Sequence, residues 1–183
     1  GIQEERGNAA AKSIQDEGLE ATFVKLDVRL KANVDSFVNG AVEKYGKIDI
    51  VVNSAGVFDG FATVDETDED LWDQMININL KGPYLVCKAA LQHMLPQGAG
   101  RVINISSIGG LCGRADGASY TASKFGLIGF TRQMAASMSN SGITFNTVCP
   151  GAIATDIRGN SASILPNSSH LMNRGVGSTD ADA

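Results

Sequence analysis

The stretch that decides the fold runs from Arg101 to Lys124 and reads RVINISSIGGLCGRADGASYTASK. Its first six residues are rich in β-branched side chains, which predicts a buried strand ending at Ser106. A glycine-rich loop follows, and from about Ser119 apolar residues recur at helical spacing as far as Gly142. A strand, a loop and a helix in this order are typical of a crossover unit in a parallel sheet.

The same alternation extends along the rest of the chain. Three more segments rich in β-branched and apolar residues predict strands: Thr22 to Val28, Ile48 to Ser54 and Ile143 to Cys149. Two further stretches have helical spacing: Val34 to Tyr45 before Gly46, and about Asp68 to Leu95 before Pro96. Because 183 residues have room for one domain, we predict a single α/β domain with a doubly wound parallel sheet.

The composition limits the classes of partner. Hydrophobic residues make up 43% and charged residues 19% of the chain, as in soluble globular domains. The formal charge is −5, from 15 Lys and Arg against 20 Asp and Glu. Nucleic acids and anionic membranes bind clustered basic residues, so this balance argues against both. No apolar run approaches the roughly 18 residues that a membrane span needs.

Metal and disulfide chemistry are not indicated by the sequence. Cys87, Cys112 and Cys149 are widely spaced and form no Cys-x-x-Cys motif. With only His93 and His170 available, no histidine metal site is predicted either. Reduced thiols are typical of the cytoplasm, which is the predicted location.

Two Tyr-x-x-x-Lys pairs occur, Tyr84 with Lys88 and Tyr120 with Lys124. Residues four apart share one face of a helix, and an ammonium group near a phenol lowers the pKa of the tyrosine toward the range of an acid–base catalyst. Tyr120 follows Ser107, which ends a predicted strand at the edge where open α/β sheets bind ligands. Tyr84 lies within a helix among apolar residues. This context favours catalysis for Tyr120 and a structural role, in helix packing or at a subunit interface, for Tyr84.

Six features, in order along the chain, resemble the classical short-chain dehydrogenases/reductases. They are Leu26-Asp27-Val28, Asn53-Ser54-Ala55-Gly56, Asn79 within residues 77–82, Ser107, the pair Tyr120 and Lys124, and the segment from Pro150 to Thr155. The resemblance implies a Rossmann-like fold. It also implies hydride transfer between the nicotinamide of NAD or NADP, with NAD favoured, and a small-molecule alcohol or carbonyl substrate.

The resemblance further implies a role for each residue. Tyr120 exchanges a proton with the substrate oxygen, Lys124 lowers the pKa of Tyr120 and hydrogen-bonds the nicotinamide ribose, and Ser107 holds the substrate oxygen. Asn79, where the long helix is expected to kink, positions the water of a proton relay. Cofactor contacts are implied at Asp27 and Val28 for the adenine, at Asn53, Ala55 and Gly56, and at Pro150, Gly151, Ile153 and Thr155 for the nicotinamide half. For Asp27 and Asn53 a simple strand-end role stays open.

The chain also departs from the family pattern. Ser54 stands where the family has a second Asn. The family's first two strands and its last strand have no counterpart, and no Gly-x-Gly-x-x-Gly motif occurs. Since the first two strands belong between Thr22–Val28 and Ile48–Ser54, we expect an open slot there. The 183 residues alone are then expected to be inactive, and a catalytically incompetent fragment or a non-enzymatic binding or scaffold protein is the alternative.

The expected substrate pocket is lined by residues 109–117 and 157–173. Leu111, Ile164 and Leu165 in these segments indicate an apolar, uncharged compound. From Asn160 onward the chain is rich in Ser, Asn, Gly and Asp, so residues 157–183 are assigned to a substrate loop and a mobile tail. By resemblance, a homo-oligomer (dimer or tetramer) is expected.

Overall fold

A computed structural model describes residues 1–113 and 116–173. Within them, three strands form one parallel sheet in the order β1 (Ile50–Asn53), β2 (Gly100–Ile105) and β3 (Ile143–Val148). In the register, Val51 faces Val102, which in turn faces Phe145. These three buried side chains line the core face of the sheet. The predicted Rossmann-like α/β fold with a parallel sheet is confirmed.

The described residues form six α-helices: α1 (Glu4–Asp16), α2 (Lys31–Tyr45), α3 (Glu69–Ile76), α4 (Gly82–Gln97), α5 (Ala118–Ser137) and α6 (Ile157–Ile164). Of these, α4 and α5 pack against the sheet. Helix α2 ends at Gly46, as predicted, because that residue adopts φ = 81°, which glycine tolerates without strain. Helix α1 has no counterpart in the sequence predictions. Its inner face, Gly7, Ala10, Ala11 and Ile14, has helical spacing but consists mostly of glycine and alanine and buries no residue, so the apolar pattern is weak.

The long predicted helix is divided in two. Asp68 caps α3 by accepting a hydrogen bond from the Leu71 amide at 2.7 Å. A π-helical segment, Asn77–Lys81, then separates α3 from α4, at the place where a kink was expected. A single turn of π-helix is frequent at functional sites because the wider turn re-aims side chains. Here it turns Asn79 into the protein interior.

The predicted first strand, Thr22 to Val28, is wrong as an assignment of secondary structure. These residues lie outside the sheet of the described chain. Strands need hydrogen-bonded neighbours, and among the described residues this segment's backbone bond to a distant part of the chain is that from the Leu26 amide to the Gly1 carbonyl at 2.9 Å. The expected open slot is present, because this segment and β1 both line a cavity of about 860 Å³.

The segment after β3 is more ordered than the sequence predicts. Where a loop was expected from Asn160, the structure has α6 and a 3₁₀ helix, Pro166–Asn173. Leu165, Leu171 and Met172 are buried there against Val57 and other apolar residues. These few apolar side chains anchor the segment, although its overall composition is polar. The remainder of the predicted tail, 174–183, lies outside the described residues.

Candidate active site

Tyr120 and Lys124 lie in the first turns of α5, on one buried face of the helix. Tyr120 is 7% exposed and Lys124 is 5% exposed. The Lys124 Nζ donates a hydrogen bond to the carbonyl of Ile105, the last residue of β2, at 3.0 Å. The same Nζ lies 5.4 Å from the centroid of the Tyr120 ring. The end of β2 and the start of α5 therefore hold the two side chains together.

The pKa of Tyr120 differs from the sequence prediction. Burial raises it to about 12, although an interaction with the Ser107 hydroxyl lowers it, and the charges of Asp116 and Asp59 raise it further. Burial also lowers the pKa of Lys124 to about 8. The prediction of a lowered tyrosine pKa is thus not met in this structure, because desolvation of the buried phenol is the largest effect on its pKa.

Ser107 follows β2 and caps the short 3₁₀ helix Ile108–Gly110. Its Oγ accepts a hydrogen bond from the Gly109 amide at 3.1 Å. The hydroxyl also interacts with the Tyr120 phenol and with the Asp116 carboxyl group. The serine hydroxyl is thus adjacent to the phenol, as a pair of groups that bind one substrate oxygen must be.

Asn79 is completely buried in the π-helical segment and connects three parts of the site. Its side chain exchanges two hydrogen bonds of 2.9 Å with the backbone of Val57, as acceptor from the amide and as donor to the carbonyl. Its Nδ2 also lies 3.2 Å from the Ser123 Oγ, beside Lys124 on α5. Asn79 is therefore linked to α5 through Ser123, the residue before Lys124.

Two carboxyl groups near Tyr120 were missed by the sequence analysis. Asp59, in the loop after β1, accepts hydrogen bonds from the Tyr120 amide at 2.8 Å and from the Ser119 hydroxyl at 3.0 Å. Burial raises its pKa. The pKa of Asp116 is also raised by burial, and its Oδ2 is buried without a hydrogen-bond partner in the described residues. Neither belongs to a recognisable motif, so only the fold brings them to the site.

The residues implied to contact the adenosine half line the large cavity. Asp27, Val28 and residues 53–56 all border it. The Asp27 carboxylate is engaged by the Arg29 guanidinium, which lowers its pKa. The Asn53 side chain instead points into the core, where its Nδ2 donates to Asn104 at 2.8 Å. The strand-end alternative thus has direct support for Asn53, while Ala55 and Gly56 lie at the cavity wall.

The residues implied to hold the nicotinamide half lie on the loop after β3. The Pro150 carbonyl accepts a hydrogen bond from the Ile108 amide at 2.9 Å, which places it beside Ser107. Gly151, Ile153 and Thr155 are exposed on the same loop. No contact between these three and Tyr120 is found in the described part of the chain.

The site has hydrogen-bond donors that suit a nicotinamide cofactor. A Cβ on Gly56, a residue of the cavity wall, would lie 3.6 Å from the Lys124 Nζ, so the ammonium group lies close to this part of the wall. An ammonium group carries three donors, and among the described residues the Ile105 carbonyl is the acceptor for one of them. The remaining donors of this buried ammonium group fit the hydroxyls of a ribose. No cluster of three or more His, Cys, Asp or Glu side chains that could hold a metal is found in the same residues.

Comparison with known proteins identifies the family. A profile described as short chain dehydrogenase matches residues 1–164. A putative ketoacyl reductase of the monensin polyketide synthase of Streptomyces virginiae is 44% identical over 149 residues, 80% of this chain and 57% of that protein.

Solved structures agree with this match. A xylitol dehydrogenase with bound NAD⁺ superposes with a TM-score of 0.81 at 29% identity, over 87% of this chain and 62% of that one. ElxO with bound NADP superposes with a TM-score of 0.80 at 31% identity, over 90% of this chain and 66% of that one. The chain thus spans about three fifths of the length of such relatives. It belongs to the short-chain dehydrogenase family.

Proposed function

We propose that a full-length protein containing this chain is an NAD(P)-dependent oxidoreductase that interconverts an alcohol and a carbonyl compound. The observation that carries the proposal is that Tyr120 and Lys124 lie together on α5 at the carboxyl end of β2, beside Ser107, with Asn79 hydrogen-bonded to Ser123 of the same helix. Ligands of open α/β sheets bind at this edge. Relatives named as reductases and dehydrogenases support the reaction class.

The chain's own residues carry the proton and the orientation of the substrate. The nicotinamide supplies the acceptor or donor of the hydride. In oxidation, the alcohol loses a hydride from carbon and a proton from oxygen, and the Tyr120 oxygen takes that proton as the C=O bond forms. In reduction, the Tyr120 phenol returns the proton to the carbonyl oxygen. Ser107 donates a hydrogen bond to that oxygen, and Lys124 binds the ribose.

The ionisation state of Tyr120 determines which proton step it can perform near neutral pH. A pKa of about 12 keeps the phenol protonated there, which is the state required of a proton donor in carbonyl reduction. Oxidation needs the phenolate, so its rate is expected to rise with pH.

The remaining assignments are proposals of the same kind. We propose NAD rather than NADP as the cofactor, with the adenosine half beside Asp27, although relatives bind either. We propose a homo-oligomer, dimer or tetramer, for which the exposed Tyr84 and Phe125 on α4 and α5 supply apolar surface. No helix of the described residues is long and apolar enough to cross a membrane. The cytoplasmic location stays a prediction.

A second candidate concerns the 183 residues by themselves. The cavity of about 860 Å³ beside β1 leaves the apolar side chains of Ile50 and Val52 exposed at the sheet edge. Such an edge binds other chains readily and does not form a closed cofactor site. This observation favours the incompetent-fragment alternative for the isolated 183 residues, with no turnover and weak nucleotide binding.

The experiment is a turnover assay with two proteins. A full-length protein containing this chain is purified and mixed with NADH or NADPH and a set of uncharged aldehydes and ketones, and nucleotide absorbance is followed. We expect oxidation of the nucleotide, and none with the isolated 183 residues. Absence of nucleotide-dependent turnover in the full-length protein with intact nucleotide binding contradicts the enzyme proposal and favours a binding or scaffold protein.

A further inference from the structure

Helix α5 begins without a cap of its own. The residue at its N-cap position is Gly117, which has no side chain to accept a hydrogen bond from the first turn. The first amides of a helix have no partner within the helix and are normally satisfied by a Ser, Thr, Asp or Asn at this position. Tyr120 lies in this first turn, so its backbone position depends on how the turn is held.

The missing cap is supplied by the loop after β1. The Asp59 Oδ2 accepts the Tyr120 amide at 2.8 Å, and the Ala62 carbonyl accepts the Ala118 amide at 2.9 Å. Asp59 is 0% exposed, and the Ser119 hydroxyl donates to the same Oδ2 at 3.0 Å. A carboxylate at a helix N-terminus is also favoured by the helix dipole.

A glycine is needed at position 117 because of the space that Asp59 occupies, and not because of the backbone conformation of Gly117. Its φ of −73° is open to any residue. A Cβ at this position, however, would overlap both carboxylate oxygens of Asp59. The glycine therefore makes the space that lets a carboxylate from a distant loop reach the first turn of α5.

The two residues before Asp59, Val57 and Phe58, are also held in place by hydrogen bonds. Asn79 holds both backbone groups of Val57. The Phe58 amide donates to the Ser161 Oγ of α6 at 2.8 Å. The Phe58 ring lies edge-to-face on the Tyr120 ring, with centroids 5.2 Å apart. Residues 57–59 thus contact Asn79, α6 and both the backbone and the ring of Tyr120.

We propose that Asp59 is a positioning residue for Tyr120: it caps α5 from the loop after β1 and so fixes the phenol relative to Ser107, Asn79 and α6. The inference rests on the proposed function, in which Tyr120 transfers the proton. A displacement of about 1 Å of a reacting group is enough to cost on the order of 100-fold in rate. A cap that only stabilised the fold would leave the rate per folded molecule unchanged.

Four variants of a full-length protein containing this chain separate the two roles. Asp59→Ala removes the acceptor, Asp59→Asn keeps a carbonyl oxygen for the Tyr120 amide, and Gly117→Ala displaces the carboxylate without deleting it. Asp65→Ala, an exposed residue of the same loop, is the matched control. Turnover is expressed per nucleotide-binding site, counted by fluorescence titration with NADH or NADPH.

We expect Asp59→Ala and Gly117→Ala to lower kcat by roughly 10- to 100-fold, with the nucleotide Kd close to that of the unchanged protein. Asp59→Asn should restore most of kcat, and Asp65→Ala should behave as the unchanged protein. With ¹³C-labelled tyrosine and no nucleotide, the Tyr120 resonance should move in Asp59→Ala and stay near its original position in Asp59→Asn.

Two results overturn the inference. One is an unchanged kcat per site in Asp59→Ala or, where that variant does not fold, in Gly117→Ala. The other is a kcat for Asp59→Asn as low as that of Asp59→Ala. Tyr120→Phe, measured in parallel, separates this inference from the proposed function: full activity of Tyr120→Phe contradicts the function itself. Loss in Tyr120→Phe alone, with the Asp59 and Gly117 variants fully active, contradicts only the positioning role.

Discussion

The chain contains two Tyr-x-x-x-Lys pairs with the same spacing and different surroundings. In the exposed pair, Tyr84 is 40% exposed, and the Lys88 Nζ donates to its phenol at 3.3 Å. In the buried pair, Tyr120 and Lys124 are almost inaccessible, and burial shifts the pKa of both. The spacing brings the two groups together in each case, and in the buried pair desolvation changes the ionisation of both groups.

The positions of the two pairs explain this difference. Tyr84 lies in α4, and its ring packs edge-on against Phe130 with centroids 6.2 Å apart. Tyr120 lies in the turn of α5 that faces the end of β2, where Ser107 and the loop after β1 close around it. A helix start that faces the end of a strand is enclosed by neighbouring loops, whereas the outer face of a helix is not. The following predictions test this distinction in a full-length protein containing the chain.

The largest expected effect is on turnover. Tyr120→Phe removes the proton donor, and loss of a general acid typically costs about 10²- to 10⁴-fold in rate. Tyr84→Phe makes the same chemical change in the exposed pair and should leave the rate nearly unchanged. Steady-state kinetics of both variants, with nucleotide binding as the control for folding, measures this. Equal losses in the two variants would contradict the assignment of roles.

The second effect is on the free energy of unfolding: a substitution of a buried residue is expected to stabilise the protein. Lys124→Met removes an ammonium group whose burial lowers its pKa to about 8, so the variant should be more stable at pH 7 by roughly 1–3 kcal/mol, although nucleotide binding weakens. Lys88→Met, at an exposed position, should change stability by less than about 0.5 kcal/mol. Denaturant unfolding of both variants tests this, and destabilisation by Lys124→Met would refute it.

The pH dependence of that stabilisation follows from the direction of the pKa shift. Below pH 8, Lys124 is charged in the folded and unfolded states, and the full cost of burying the charge is present. Between about pH 8 and 10.5 the folded protein loses this proton while the unfolded chain keeps it, so folding of the unchanged protein becomes relatively more favourable. The advantage of Lys124→Met should therefore shrink across this range. An advantage that stays constant with pH would show that charge is not its cause.

A further effect on stability concerns Gly117 and Asp59. Gly117→Ala alone should destabilise the fold by about 1–3 kcal/mol, because its Cβ meets the Asp59 carboxylate. In an Asp59→Ala background the same methyl group has space, so the two changes should be non-additive. A double-mutant cycle tests this: the free energy of unfolding is measured by heat or denaturant for the unchanged protein, the two single variants and the double variant. Additive effects would indicate that the two residues do not share the contact.

Local sequence patterns predicted those strands and helices whose formation depends on the residues within the segment itself. The β-branched runs predicted β1, β2 and β3, and the periodicity and Gly46 predicted α2 and its end. The segment from Thr22 to Val28 has the same composition, but it lies outside the sheet, because hydrogen bonding with a neighbour decides whether a β-prone segment becomes a strand. Helix α1 was missed because it has no buried face.

The candidate site shows the same division between local and long-range information. Tyr120, Lys124 and Ser107 lie close together in sequence, so their spacing was informative. Asp59 lies 61 residues from the amide that it caps. The only local sign was a glycine at the start of α5, which is ambiguous because glycine also serves turns. Burial, which sets the pKa of Tyr120, depends on loops from three parts of the chain, and spacing alone predicted the wrong direction.

The most direct test of the account is a crystal structure of a full-length protein containing this chain with a nicotinamide cofactor and a carbonyl compound bound. The account predicts that the carbonyl oxygen lies within hydrogen-bond distance, about 2.6–3.2 Å, of both the Tyr120 and the Ser107 hydroxyl oxygens. It also predicts that the Lys124 Nζ contacts the ribose. A carbonyl oxygen bound away from Tyr120, with the phenol still facing only Ser107, would contradict the central claim that the reaction's proton passes through Tyr120.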